Sequence, residues 1–190
     1  MKAVRIHAYG DADVLRYEDV PMPGIAANEV LVRVVASSVN PVDWKIREGY
    51  LKQIIPCSFP LTLGWDVSGV VEAVGEGISR FKVGDAVFSR PDIKRNGTYA
   101  EYVAIREDEI AHKPGTLSHV EAATLPLAGI AAWEAIHHCG EDCDGTAGAD
   151  SRSFRWRGFH RGAISQVAGG ACHRHHLGEK LRTGEIPGGR

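Results

Sequence analysis

Histidine and cysteine residues are concentrated in the last third of the chain, where their side chains could bind a metal ion. His137, His138, Cys139 and Cys143 precede the run Cys172–His176. Thiol and imidazole groups at this density are typical zinc ligands. Their spacing matches no established zinc finger, and no pattern of helices or strands surrounds them. A zinc-binding tail is therefore an alternative rather than the main prediction.

A second group of polar side chains lies at the start of a predicted helix. Asn40 precedes Pro41, and proline favours the first position of a helix, which Gly49 then closes. The carboxamide of Asn40 can both donate and accept hydrogen bonds, which suits ligand binding. Two structural alternatives stay open, since Asn40 could cap this helix and Asp43 could complement its positive end. Tyr50 could donate a proton, but a surface or packing role is favoured, so the catalytic residue is unknown.

The segment Gly75–Arg80 (GEGISR) follows a predicted strand, as a phosphate-binding turn would. Arg80 stands where a dinucleotide-binding turn has its third glycine, and no amphipathic helix follows. The pattern therefore predicts an ordinary loop.

Short alternating segments separated by glycine and proline predict a β-rich domain. The strongest strand covers Glu29–Val39, with Val30 and Val32 on one face and Leu31 and Arg33 on the other. Further strands are predicted at 2–7, 67–74, 86–88 and 99–103. Few helices interrupt them, so we expect a closed or partly open β-barrel in an α+β fold that is mainly β.

Two helices are predicted after the strands. Ser118 and Glu121 have the spacing of a capping box, which starts a helix that runs to about Leu125. Pro126 allows a second helix that ends at Ile136. The second helix is apolar on most sides, so it requires a partner surface.

Composition excludes several classes of protein. The chain has 190 residues, of which 44% are hydrophobic and 24% charged, with a net charge of -2. These values are typical of a globular domain and do not favour nucleic acid or a membrane as partner. No apolar run is long enough to span a bilayer, and no signal peptide is evident. Four cysteines are too few for a disulfide framework, so we expect a cytoplasmic location.

Composition also changes along the chain. The last 54 residues hold half of the 22 glycines, with few aliphatic residues and a single lysine, Lys180. Such a segment buries too little apolar surface to offset its loss of entropy on ordering. We therefore predict a barrel domain at 1–125, a junction helix at 126–136 and a disordered or poorly folded tail at 137–190.

Four phrases in this order carry a family resemblance: SSVNPVDWKIREG, GWDVSGVVEAVGEGISRFKVGDAVFS, GTYAEYV and AATLPLAGIAAWEAI. They resemble the medium-chain dehydrogenase/reductase superfamily, and most of all its zinc-free, quinone oxidoreductase-like branch. The resemblance covers about residues 1–136. It implies a GroES-like barrel followed by a Rossmann domain that binds NADPH, and a possible homodimer.

The resemblance also bears on zinc. Zinc alcohol dehydrogenases have Gly-His-Glu where this chain has Gly64-Trp65-Asp66, and a ligand cysteine where it has Ser37-Ser38. Trp65 and Ser38 cannot replace the imidazole and thiolate that zinc prefers. We therefore expect no metal in the barrel. Without one, the family's chemistry is hydride transfer from NADPH to a quinone or an activated carbonyl or alkene, with the protein orienting and polarising the reactants.

Four cofactor-binding residues follow from the resemblance. It places Asn40, with Asp43 beside it, where the barrel meets the nicotinamide end of the cofactor. It places Leu127 and Gly129 in the segment that approaches the cofactor at the domain junction.

The tail reads differently if its coding frame has shifted after Ile136. Trp156 is encoded by TGG and Arg157 begins with C or A, so the shifted codon encodes glycine. With codons chosen in this way, the residues from Gly145 onward can read GQRVLIHGASGGVGSIAVQLAKWRGA. That string has a strand, a glycine-rich turn and an amphipathic helix, which is the order of a dinucleotide-binding unit.

The main hypothesis is thus an NADPH-dependent oxidoreductase whose cofactor domain is truncated by a frameshift, leaving a chain without activity. A small-molecule quinone or enone is the expected substrate. The alternatives are a non-catalytic binding module built on the barrel, and the zinc-binding tail.

Overall fold

A computed structural model describes the backbone of residues 1–141 and the side chains of residues 1–134. The strands are β1 (Lys2–Ile6), β2 (Arg16–Asp19), β3 (Glu29–Ser37), β4 (Leu61–Thr62), β5 (Val67–Val74), β6 (Ala86–Ser89), β7 (Tyr102–Arg106) and β8 (Ile110–His112), and the helices are α1 (Pro41–Arg47), α2 (His119–Ala123) and α3 (Pro126–Glu141). The predicted mainly β class is therefore confirmed. The side chains of the tail, on which the zinc-binding alternative, the shifted frame and the predicted disorder depend, lie outside the described residues.

The chain divides into two units, Met1–Ile130 and Ala131–Arg190. The first unit holds every strand named above. Its larger sheet has the order β7-β3-β5-β6-β8 and its smaller sheet the order β2-β1-β4. Neighbouring strands in both sheets are antiparallel. In the part of the chain described, no helix has the length and apolar character needed to cross a membrane.

Alternation along β3 places its side chains as predicted. Val30 and Val32 are fully buried, whereas Val35 near the end of the strand is 47% exposed. Two breaks in register between β3 and β5, at Leu31/Val32 and Val34/Ala36, bend the sheet. Two apolar cores are found among the described side chains, and the buried face of β3 belongs to the one composed of Val30, Val32, Val67, Val71, Phe81, Val87, Val103, Ile105 and Ile110. The other core contains Ile6, Ile46, Leu61, Leu63 and Trp65.

The predicted helix starts are also confirmed. Helix α1 begins at Pro41, and Gly49 beyond its end has φ +80°, the left-handed conformation that glycine favours. Ser118 caps α2, and its hydroxyl accepts a hydrogen bond from the Glu121 amide. Helix α3 continues to Glu141, beyond the predicted end at Ile136.

The predicted strand at 99–103 is wrong in position. The observed strand β7 begins three residues later, at Tyr102. The cause is a close backbone crossing: the amide of Thr98 donates to Gly64 O at 2.8 Å and the amide of Tyr99 donates to Leu63 O at 2.9 Å. These bonds hold Tyr99 in an irregular segment before the strand begins.

Helix α2 is attached to the larger sheet through His119. The Ser68 hydroxyl donates to Val87 O at 3.0 Å, so His119 Nδ1, 2.8 Å from that hydroxyl, must be the donor to it. Burial lowers the pKa of the His119 imidazole, and the nearby charges of Lys113 and Arg33 lower it further. The folded chain therefore favours neutral His119.

This preference predicts a pH-dependent stability. Because the pKa of His119 is lower in the folded chain, its contribution is complete above the unfolded value of 6.5 and is lost as pH falls through the folded value. Urea unfolding at pH 7.5 and pH 5.0 should show a smaller loss of stability at low pH in His119→Gln than in the unmodified chain. His112→Gln, which alters a histidine with a 60% exposed side chain, is the control. Equal pH dependence of the unmodified chain and His119→Gln would contradict the assignment.

Candidate functional site

A buried carboxylate just before β5 gathers three donors from distant parts of the chain. Asp66 is fully buried. Its Oδ2 accepts hydrogen bonds from Ser38 Oγ at 2.6 Å and from Asn40 Nδ2 at 2.7 Å. Its Oδ1 accepts the backbone amide of Leu127 at 2.8 Å. One side chain therefore connects the end of β3, the start of α1 and the first turn of α3.

A second carboxylate lies on the other side of Asn40. Asp43 is 3% exposed, and its Oδ2 accepts the Asn40 amide at 2.6 Å and the Tyr99 hydroxyl at 2.8 Å. Asn40 also occupies the N-cap position of α1, as the capping alternative predicted, but the Asp43 amide donates to the main-chain oxygen of Asn40 at 3.0 Å rather than to its side chain. Its backbone is thus held by one carboxylate and its side chain by the other. We call the following set the Asp66 cluster: Ser38, Asn40, Asp43, Asp66, Tyr99 and the Leu127 amide.

The electrostatics of the cluster are set mainly by burial. Desolvation raises the pKa of both Asp43 and Asp66, and hydrogen bonds to each carboxylate offset this in part. Burial and the neighbouring Asp43 carboxylate raise the pKa of the Tyr99 hydroxyl far above its usual value. Tyr99 therefore remains a protonated hydrogen-bond donor at neutral pH and is a poor acid.

Three of the four predicted site residues meet in this cluster. Asn40 and Asp43 contribute side chains, whereas Leu127 contributes its backbone amide. Gly129 does not join it: its amide donates to the carbonyl of Leu125, the residue just before α3, and the space a Cβ would occupy is open. Tyr50 is 69% exposed and makes an edge contact with Trp44, which agrees with a surface role.

Sequence reasoning missed the two residues that organise the cluster. Asp66 was considered only by comparison with zinc ligands, and Tyr99 only as part of a strand. A signal for Asp66 existed, since it stands immediately before the buried strand Val67–Val74, where an unpaired carboxylate is costly. No comparable signal marked Tyr99.

The loop interpretation of Gly75–Arg80 agrees with the structure. The amide of Gly75 donates to Glu29 O and that of Gly77 to Ala27 O, both at 2.8 Å. The amides of Ser79 and Arg80 both donate to the Glu107 carboxylate. These donors are committed within the domain and are not offered to a phosphate.

The positions that carry zinc ligands in zinc alcohol dehydrogenases are occupied differently here. Trp65 is fully buried in the apolar core with Ile6 and Ile46. The hydroxyl of Ser38 is engaged by Asp66 and Asn40. Among the side chains the structure describes, no three His, Cys, Asp or Glu residues are grouped so as to hold a metal ion.

The fold and its buried cluster define a known class of domain. Residues 26–115 match the alcohol dehydrogenase GroES-like domain. The matched range includes Ser38, Asn40, Asp66 and Tyr99, which flank the ends of β3, α1, β5 and β7.

The chain carries this domain, and the proteins that it resembles are quinone oxidoreductase-like members of the medium-chain dehydrogenase/reductase superfamily. It is 40% identical to the mitochondrial NAD(P)H oxidoreductase RTN4IP1 of Homo sapiens, in a match covering 74% of this chain and 39% of that protein. It is 35% identical to a chloroplastic quinone-oxidoreductase homolog of Spinacia oleracea, covering 72% of this chain and 42% of that one. The chain thus spans about two-fifths of the length of these curated relatives.

Solved structures of quinone oxidoreductases and related proteins also match the chain over part of their length. The quinone oxidoreductase from Coxiella burnetii is 35% identical and superposes with a TM-score of 0.68, covering 74% of this chain and 45% of that one. A mycobacterial protein solved in complex with NADPH is 33% identical, with a TM-score of 0.65, covering 72% of this chain and 40% of that one.

Proposed function

We propose that this chain carries the barrel domain of an NADPH-dependent oxidoreductase that transfers hydride to a quinone or to an activated carbonyl or alkene. The observation that carries the proposal is the Asp66 cluster, in which Asn40 and the first turn of α3 share one buried carboxylate. Its support from the comparisons is that the relatives include proteins named as NAD(P)H and quinone oxidoreductases, and one solved with NADPH.

The residues present fit one end of the cofactor. Asn40 is a polar side chain held in place on both sides, which suits recognition of the nicotinamide ring and its carboxamide. The Asp43 carboxylate accepts the Asn40 backbone amide and so holds Asn40 in position. Leu127 and Gly129 belong to the segment proposed to approach the cofactor. When bound, NADPH supplies the hydride. Within residues 1–141 we identify no glycine-rich turn with free amides for the pyrophosphate.

We propose further that the barrel acts without a metal ion. The support is the chemistry of the side chains at the ligand positions, since an indole and a serine hydroxyl already bonded to a carboxylate are poor zinc ligands. The protein's own contribution is then to orient a small-molecule substrate and to exclude water from it. The expected cytoplasmic location remains a prediction, because relatives are named for the mitochondrion and the chloroplast.

We propose that a phosphate-binding turn is encoded after Ile136 in the shifted reading frame. We propose that the frame slips after Ile136 and that the chain as written is inactive. Sequencing the DNA across this codon in independent reads tests the slip directly. Independent reads that all give the present frame, with no missing or extra base near Ile136, would overturn the proposed slip.

Repair of the frame tests the function itself. We expect the repaired protein to oxidise NADPH in the presence of quinones or enones, and the present chain to show no turnover above the buffer rate. NADPH absorbance at saturating substrate is the measurement. The present chain, expressed and purified identically, is the control. A folded, repaired protein that binds NADPH but reduces none of these acceptors would contradict the substrate class.

A further inference from the structure

The hydrogen atoms of the Asn40 carboxamide are all accounted for. A primary amide nitrogen carries two hydrogens. Asn40 Nδ2 donates to Asp66 Oδ2 at 2.7 Å and to Ser38 Oγ at 3.2 Å. Ser38 can accept because its own hydrogen goes to Asp66, at 2.6 Å. The nitrogen therefore has no hydrogen left for a ligand, and only the carboxamide oxygen, with two lone pairs, can still accept one.

The other oxygen of Asp66 serves a helix start. The first amides of a helix have no partner within the helix, and Leu127 is the second residue of α3. Asp66 Oδ1 accepts this amide at 2.8 Å across 61 positions of sequence. A carboxylate at this end of a helix is also favoured by the helix dipole. Asp66 thus acts as a capping group that comes from a different element.

We propose that Asp66 is a positioning residue that turns the amide nitrogen of Asn40 inward and ties the start of α3 to the same carboxylate. Asn40 then offers a ligand only an acceptor, so the group it recognises carries an N–H donor, and a primary carboxamide is such a group. The ligand part rests on the proposed function, because the nicotinamide of NADPH has this carboxamide. Polarisation of a substrate carbonyl by Asn40 is excluded in this arrangement, since it needs a free donor.

Asp66→Asn tests the positioning in the full chain without changing the size of the side chain. The new carboxamide replaces one acceptor oxygen by a donor, so either the Leu127 backbone amide or the Asn40 side-chain amide (Nδ2) loses its partner. We expect hydrogen exchange at one of these two groups to accelerate by about tenfold or more, as loss of a single hydrogen bond predicts. Amides of Val32 and Val71 in the sheet should exchange at unchanged rates.

Ser68→Ala is the matched control. Ser68 is also fully buried on β5, but its hydroxyl contacts Val87 O and His119 rather than the cluster. Its replacement should leave hydrogen exchange at the Leu127 backbone amide and at the Asn40 side-chain amide unchanged. A second readout is spectroscopic. The buried carboxylates Asp66 and Asp43 both face Asn40, so the Asn40 side-chain amide resonances should shift with pH in the unmodified chain and in Ser68→Ala, and by a smaller amount in Asp66→Asn, where only Asp43 still titrates.

Two results would overturn the positioning role. One is uniform acceleration of exchange throughout the sheet in Asp66→Asn, which indicates a general loss of stability. The other is the absence of any change at Asn40 and Leu127.

The ligand part is tested separately by adding nicotinamide or nicotinate, which lacks the N–H donor, at millimolar concentration. Shifts of the Asn40 resonances with nicotinamide alone support acceptor recognition. No shift with nicotinamide, or equal shifts with both compounds, would contradict recognition of an N–H donor by Asn40. Neither outcome affects the positioning role of Asp66.

Discussion

Gly97→Ala is expected to destabilise the barrel by roughly 3–5 kcal/mol, from overpacking and the loss of about two backbone hydrogen bonds. A Cβ at this position would lie 2.0 Å from Gly64 O and 2.6 Å from Leu63 O. Both contacts are with backbone, which cannot move aside as a flexible side chain can. Relief requires the two segments to separate, which breaks the bonds that Thr98 and Tyr99 donate to Gly64 and Leu63.

The same change should disturb the Asp66 cluster. Thr98 Oγ1 donates to Asp66 O at 2.9 Å, and the Tyr99 hydroxyl donates to Asp43. Urea unfolding measures the stability of Gly97→Ala, and near-ultraviolet circular dichroism reports the packing of the aromatic side chains, Tyr99 among them. Gly115→Ala is the matched control, because a Cβ there meets nothing within 4 Å and the backbone is not left-handed. Equal stability of the two variants would contradict the close approach of Gly97 to the backbone of Leu63 and Gly64.

Trp65→Ala is expected to cost about 3–5 kcal/mol, the range for removing a large buried aromatic side chain. Trp65 is the largest fully buried side chain among the described residues, and it packs with Ile6, Ile46, Leu61 and Leu63. The loss would leave a cavity at the centre of this core. Urea unfolding of the full chain measures it.

Trp65→Phe separates the contribution of the ring from that of the indole N–H. Within the described residues, the buried Nε1 of Trp65 has no hydrogen-bond partner. Phenylalanine keeps much of the apolar contact and removes a donor whose burial costs about 1–3 kcal/mol. We therefore expect Trp65→Phe to lose under about 1.5 kcal/mol, because the two effects oppose each other. A loss as large as that of Trp65→Ala would indicate that the indole N–H does have a partner.

Much of the fold could be predicted because its signals are local. The alternation of Val30 and Val32, the proline and glycine around α1, and the Ser118–Glu121 capping box each specify an element within a few residues. Strand β7 was misplaced because the backbone crossing at Gly97 and Gly64 joins segments that are far apart in sequence. Alternation in Tyr99–Val103 carries no information about that crossing.

The residues of the candidate site also fall into those that the sequence indicated and those that only the structure revealed. The sequence by itself determined the family, the mainly β fold and the helix start that carries Asn40 and Asp43. Only the tertiary structure decided that Asp66 joins Asn40 to Leu127 and that Tyr99 binds Asp43, across 61 and 56 positions of sequence. The physical reason is that periodicity reports which side of an element is buried, whereas the partner of a buried polar atom is set by the register and crossing of separate elements.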